Sequence, residues 1–144
     1  MIYLDSSAAV KLVHAEAESQ ALRDWLDERA ETGWISSVLV EIESHRALAR
    51  QAPAALARLA QVLDLIDLVD LAPSIRTRAR AVVPVTIRSL DAIHLATALH
   101  LGEQLTTFVA YDIRLADAAR AAGLPVEIPA SAAVERAESA DGEG

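Results

Sequence analysis

Short apolar runs that end at an aspartate alternate, along this chain, with longer stretches of helical periodicity. Met1-Ile2-Tyr3-Leu4 leads into Asp5, and Thr107-Phe108-Val109-Ala110-Tyr111 leads into Asp112; helix-forming sequence follows each at once. Runs rich in β-branched and aromatic residues that hand over in this way predict strands followed by helices. The first strand spans Ile2–Asp5, with helices from about Ser7 to His14 and from about Glu16 to Glu31, the second stopping near Gly33. Trp34–Ser36 reads as a short strand, and Ser37 to Arg50 as a helix that Pro53 terminates. Pro53 then suits the first turn of a helix to about Ile66. Asp67–Ala72 alternates and reads either as a strand or as a continuation of that helix. Pro73 opens a helix through Ala81, Pro84 breaks the chain, and Ser89 to Leu101 is helical with Gly102 in the helix-ending position. A strand over Thr106–Tyr111, a helix to Ala122 closed by Gly123, and a short strand around Val126 complete the pattern.

Strands that alternate with helices, with no hairpin turns between strands, predict an α/β fold: a parallel sheet flanked by helices on both faces, in three α/β/α layers. Residues 1–129 read as one domain. The stretch 130–144, rich in Ala, Ser, Glu and Gly, reads as an acidic, flexible tail.

Composition narrows the chemistry. The chain has 144 residues, 53% of them hydrophobic and 24% charged, enough for a single buried core. With no cysteine, disulfide and thiolate chemistry are excluded. The longest uncharged stretch, Ala92 to Gly102, falls far short of the ~20 residues that cross a bilayer. With no secretion signal either, a cytoplasmic location and no membrane partner are expected. The net charge of −8, taken as a whole, opposes nucleic-acid binding. Much of it, however, sits in four acids discussed below and in the tail from Glu135. The basic residues are arginines apart from Lys11, and arginine is the better phosphate fork.

In open α/β sheets ligands sit beyond the carboxyl ends of the strands. Asp5 and Asp112, at two such ends, are therefore candidates for one acidic pocket of the kind a hard divalent cation needs. Two further acids stand in apolar surroundings: Asp91 in Leu90-Asp91-Ala92-Ile93-His94-Leu95-Ala96-Thr97-Ala98, and Glu43 in the helix after Ser36-Ser37. Each has a plainer explanation. Asp5 and Asp112 could be helix N-caps, Asp91 a first-turn acid favoured by the helix dipole, and Glu43 a solvated helix residue. Only the joint pattern moves beyond these.

The set Asp5, Glu43, Asp91 and Asp112 in these settings resembles the PIN-domain ribonucleases, and within them the VapC-type toxins of bacterial toxin–antitoxin pairs. The matching segments are Tyr3-Leu4-Asp5-Ser6-Ser7-Ala8, Ser36-Ser37 with Glu43 and Arg46, Leu90 to Ala98, and Tyr111-Asp112-Ile113-Arg114-Leu115 with Ala118-Ala119 and Gly123. The resemblance implies that the four acids converge to hold Mg²⁺ or Mn²⁺, and that a metal-activated water cleaves RNA. It also implies a homodimer and neutralisation by a cognate antitoxin. One departure stands out: the family commonly has Thr or Ser two residues before the last aspartate, where this chain has Ala110. That motivates an alternative, a PIN-fold binding module with weak or no turnover.

The remaining chemistry is secondary. Glu41 competes with Glu43, but its helical neighbours Ser37, Val38, Ser44 and His45 are more polar than Leu39, Val40 and Ala47 around Glu43, where Arg46 is also at hand. A carboxylate among apolar groups needs compensation, which favours Glu43, as does the spacing from Ser36-Ser37 that the resemblance implies. Both glutamates lie at the edges of the apolar stripe through Val38, Ile42 and Ala49, so helix geometry alone leaves the choice open. His94, on an apolar helix, is expected to be a hydrogen-bonded core residue rather than a ligand. His14, His45, His94 and His100 show no zinc spacing. Arg46 reads as a surface ion-pair partner or a phosphate contact, and Asp117 as a surface acid. Receiver domains need a late lysine and aspartate phosphatases an aspartate where Ser7 stands, so both fall away. Val10, Leu12, Val13, Leu22, Trp25 and Leu26 give the first two helices more apolar surface than one core is expected to need, which predicts a partner surface there.

Overall fold

The computed structural model describes residues 1–131, so the tail expected over 130–144 lies almost wholly outside the described residues. Five strands, β1 (Ile2–Leu4), β2 (Trp34–Ser37), β3 (Ile66–Val69), β4 (Thr107–Val109) and β5 (Val126–Glu127), form one sheet in the order β3-β2-β1-β4-β5. Every pairing is parallel. The helices are α1 (Ser6–Val13), α2 (Ser19–Asp27), α3 (Leu39–Gln51), α4 (Leu56–Leu63), α5 (Pro73–Arg80), α6 (Ser89–Leu101) and α7 (Ile113–Ala121).

Alternation along β1 builds the three layers. Ile2 and Leu4 face one side and pack with Ala8, Leu22, Leu26, Ile66 and Val109, under α1, α2 and α4. Tyr3 faces the other side with Ile35 and Phe108, under Leu95 and Ala98 of α6 and Leu115 and Ala119 of α7. All three strand residues are buried, as befits a central parallel strand covered on both faces. A third cluster, Val10, Val13, Leu48, Ala55 and Leu59, joins α1 to α3 and α4. Gly102 closes α6 at φ 55° and Gly123 follows α7 at φ 87°, backbone conformations that a side chain would strain.

Several boundaries differ from the sequence reading, for identifiable reasons. Helix α2 begins at Ser19 rather than Glu16 because the Ser19 hydroxyl accepts the Glu16 N–H at 2.9 Å and donates to the His14 carbonyl at 3.2 Å. Residues 14–18 are thereby turned out of the helix, and Lys11 pins them through Glu16 and Glu18. The ambiguous segment after Leu63 is a strand, since Ile66 to Val69 pair with Trp34 to Ser37. Strand β4 stops at Val109, and beyond it the Tyr111 N–H donates to the Ser7 hydroxyl. The surplus of apolar surface inferred for the first two helices does not exist: Val10, Val13, Leu22 and Leu26 are core residues, and Leu12 and Trp25 are partly buried against them. No helix among the described residues is long and apolar enough to cross a membrane.

Candidate active site

The sheet order places β1 beside β4, where the chain reverses the direction in which strands are added, and crevices form at such switch points. Asp5 and Asp112 leave the carboxyl ends of these two neighbouring strands and cap α1 and α7. Asp5 Oδ1 accepts the Ala8 N–H at 3.0 Å, and Asp112 Oδ1 accepts the Leu115 N–H at 2.9 Å. Both are N-caps, as the plainer reading held. Capping occupies one oxygen of each and leaves Oδ2 free of that duty. The Ser7 hydroxyl ties the strand ends together, donating to Asp5 Oδ1 at 2.6 Å and accepting the Tyr111 N–H at 3.0 Å. Ala110 is wholly buried in the core cluster with Tyr3 and Phe108, so in this chain the strand-end hydroxyl comes from Ser7.

Asp5 is buried, and burial pushes its carboxyl above the usual range. The opposing pull of His94, Ser7 and Ala8 is outweighed, and the charge of Asp91 adds to the upward push. Asp91 projects from the first turn of α6, and Glu43 from the second turn of α3. The four acids are thus brought to one end of the sheet from four separate elements. Glu41, by contrast, is exposed and lines a different groove with His45, Leu56 and Leu59. Asp117 is a surface acid paired with Arg120 at 3.4 Å.

A buried chain of hydrogen bonds fixes Glu43. The Tyr3 hydroxyl accepts the Ser37 N–H at 3.2 Å and lies 2.7 Å from His94 Nδ1. The Glu43 carboxylate against Nε2 can only accept, so in the neutral ring Nε2 carries the proton and Nδ1 accepts the Tyr3 O–H; burial raises the tyrosine pKa far above its ordinary value. The other ring nitrogen, Nε2, then donates to Glu43 Oε1 at 2.6 Å, joined by the Ser6 hydroxyl at 2.8 Å. Burial pushes the Glu43 carboxyl up, but His94, Ser6 and Arg88 together outweigh it and hold the group below the usual range. His94 is the hydrogen-bonded core residue the sequence suggested, and its ring also positions a carboxylate.

Two further features were not legible in the sequence. Arg88 bridges two of the acids, with Nε 3.1 Å from Asp91 and a terminal nitrogen 3.4 Å from Asp112. Beside Glu43 a groove of about 620 Å³ runs along α3 past Arg46 and Arg50, with Ser6, Lys11 and Leu90 in its walls. Arg46 makes no ion pair among the described residues. Lys11 is held by Glu16 and Glu18 and lies 4.6 Å above the Tyr111 ring.

The PIN domain family model matches residues 2–121. The chain belongs to the PIN-domain family. Within it the chain is a VapC-type member: it is 47% identical over 134 residues to Ribonuclease VapC35 of Mycobacterium tuberculosis, covering 92% of this chain and 99% of that relative. Among solved structures, this PIN domain resembles M. tuberculosis VapC20, described as a Sarcin-Ricin loop cleaving toxin. The TM-score is 0.70 at 17% identity, over 86% of this chain and 96% of that one. It also resembles a chain of a toxin–antitoxin complex from Klebsiella pneumoniae, with a TM-score of 0.64 at 20% identity over 89% and 96% of the two chains. At such identities these two report the shared fold.

The donor set suits a hard divalent cation: it is all oxygen, carboxylates with partial burial and mutual repulsion, and a cation, Arg88, already stands against it. No three His, Asp or Glu side chains among the described residues are yet disposed around a common metal position.

Proposed function

We propose that this PIN domain is a Mg²⁺- or Mn²⁺-dependent endoribonuclease, the toxic half of a toxin–antitoxin pair, with Asp5, Glu43, Asp91 and Asp112 as its metal-binding acids. The observation that carries the reading is the gathering of these four carboxylates, from four elements, at the sheet's switch point. Relatives named as ribonucleases and a structural neighbour from a toxin–antitoxin complex support the substrate class and the antitoxin partner. A homodimer and a cytoplasmic location belong to the same reading.

When bound, a divalent ion supplies a water made nucleophilic near neutral pH and neutralises charge on the phosphate. The chain's own residues do the positioning. Asp5 is locked by Ser7 and Ala8. Glu43 is held by His94 and Ser6, so its second oxygen is presented at a defined angle. Arg46 and Arg50, one helical turn apart on α3, line the groove leading away from Glu43 and offer guanidinium forks to successive backbone phosphates. Specificity for one RNA then lies in the groove rather than in the acids.

The purified protein, incubated with RNA and Mn²⁺, is the test. Cleavage is expected from wild type and from Glu41→Gln. Glu43→Gln is expected to lose about a hundredfold or more, in keeping with the loss of a group that fixes the reacting water or its metal. Equal activity of Glu43→Gln and Glu41→Gln, or undiminished cleavage in excess EDTA, refutes the assignment. A folded wild type inert on all cellular RNA points instead to the binding module that Ala110 suggested.

A further inference from the structure

Arg88 occupies a position that local structure does not favour. It is the N-cap of α6, where Asp, Asn, Ser or Thr is preferred, and its side chain makes no capping bond. Its charge also stands at the positive ends of two helices, α6 and α7, contrary to the helix dipoles. The side chain folds back instead onto Asp91 and across to Asp112. It remains 74% exposed, while Asp91 beneath it is 13% exposed. The loop that carries it is open to solvent, with Val83 and Val85 71% and 90% exposed. A misplaced cation on a solvent-exposed loop thus lies over the rim of the acidic pocket.

We propose that Arg88 is a built-in counter-cation of this pocket that competes with the divalent ion for Asp91 and Asp112. The inference rests on the metal-site reading above. The guanidinium offsets the repulsion between Asp91 and Asp112, the two acids it bridges. A divalent ion and a guanidinium repel one another, so loading requires Arg88 to leave both partners. The freed side chain stays tethered at the rim, beside the groove that carries Arg46 and Arg50, where a substrate phosphate is its natural next partner. Ion entry and substrate binding are thereby coupled: the ion releases an arginine for the RNA, and RNA phosphate holds that arginine away from the acids.

Competition has a sign that a purely structural salt bridge lacks. Titration calorimetry with Mn²⁺ on the whole protein, comparing wild type, Arg88→Gln and Arg88→Lys, reads it without any cleavage. Arg88→Gln is expected to bind Mn²⁺ about threefold to tenfold more tightly, the range that two exposed ion pairs can impose on a competing equilibrium. Arg88→Lys, with charge but no planar fork, should fall between the two. In EDTA the order of melting temperatures reverses, with Arg88→Gln below wild type; in saturating Mn²⁺ the gap closes or inverts. Unchanged or weaker Mn²⁺ binding by a folded Arg88→Gln, beside a wild type that binds, overturns the proposal and leaves the metal site standing. Absence of Mn²⁺ binding by all three folded proteins overturns both.

Discussion

Replacing Asp5 by Asn separates a carboxylate kept for a cation from one kept for stability. Asn at this position retains an oxygen for the Ala8 N–H and the Ser7 hydroxyl, and it caps helices about as well as Asp. What it removes is the buried charge. An uncompensated buried ion costs several kcal/mol. Here Ser7, Ala8 and His94 offset part of that, yet the Asp5 pKa still moves up, so the fold prefers the neutral form. With a raised folded pKa, the group favours the fold below its ordinary value of 3.8 and turns against it as pH rises through the folded value. At neutral pH, above the ordinary value of 3.8, the wild type therefore carries a penalty. Asn relieves it, so Asp5→Asn should melt above wild type, each kcal/mol relieved being worth roughly 4 °C for a chain of this length. Asp5→Ala, which loses the cap as well as the charge, should fall about 1 kcal/mol below Asp5→Asn. The assay is thermal unfolding at neutral pH in EDTA, repeated with Mn²⁺. An ion at a hundred times its Kd stabilises wild type by about 2.7 kcal/mol, or roughly 10 °C, and leaves Asp5→Asn unmoved. If Asp5→Asn is less stable than wild type in EDTA, the carboxylate serves the fold and the reasoning fails.

Tyr3→Phe leaves the His94 ring nitrogen and the Ser37 N–H buried without their common partner, at a cost of roughly 1–3 kcal/mol for each unsatisfied group. Urea unfolding measures it, and a variant as stable as wild type contradicts the hydrogen-bond chain. The lowered Glu43 pKa has the opposite pH sense to that of Asp5: its stabilisation is present above the unfolded value of 4.5 and is lost as pH falls through the lower folded value. Urea midpoints in EDTA should therefore fall less steeply on the acid side in Glu43→Gln than in wild type, and identical acid limbs count against the His94 contact.

Local information along the chain determined the order of strands and helices, because periodicity, prolines and helix-ending glycines act within a few residues. It also marked Asp5 and Asp112, since a strand end followed by a helix start is a local feature. Helical neighbours favour Glu43 over Glu41 without deciding between them, and the structure places only Glu43 against His94 and Ser6. What the chain could not reveal in one dimension was which groups meet across it. Tyr3 and His94 are 91 positions apart and Arg88 and Asp112 24 apart; nothing in their own neighbourhoods distinguishes a core tyrosine or a surface arginine from these. The same holds for the apolar residues of α1 and α2, which their own sequence assigns to a partner surface and the fold to the core. Whether Leu22 and Leu26 face a partner or the chain's own sheet depends on β1 and β4 lying between helices on both faces. Strand order decides that, and strand order is set by long-range burial that no local pattern encodes.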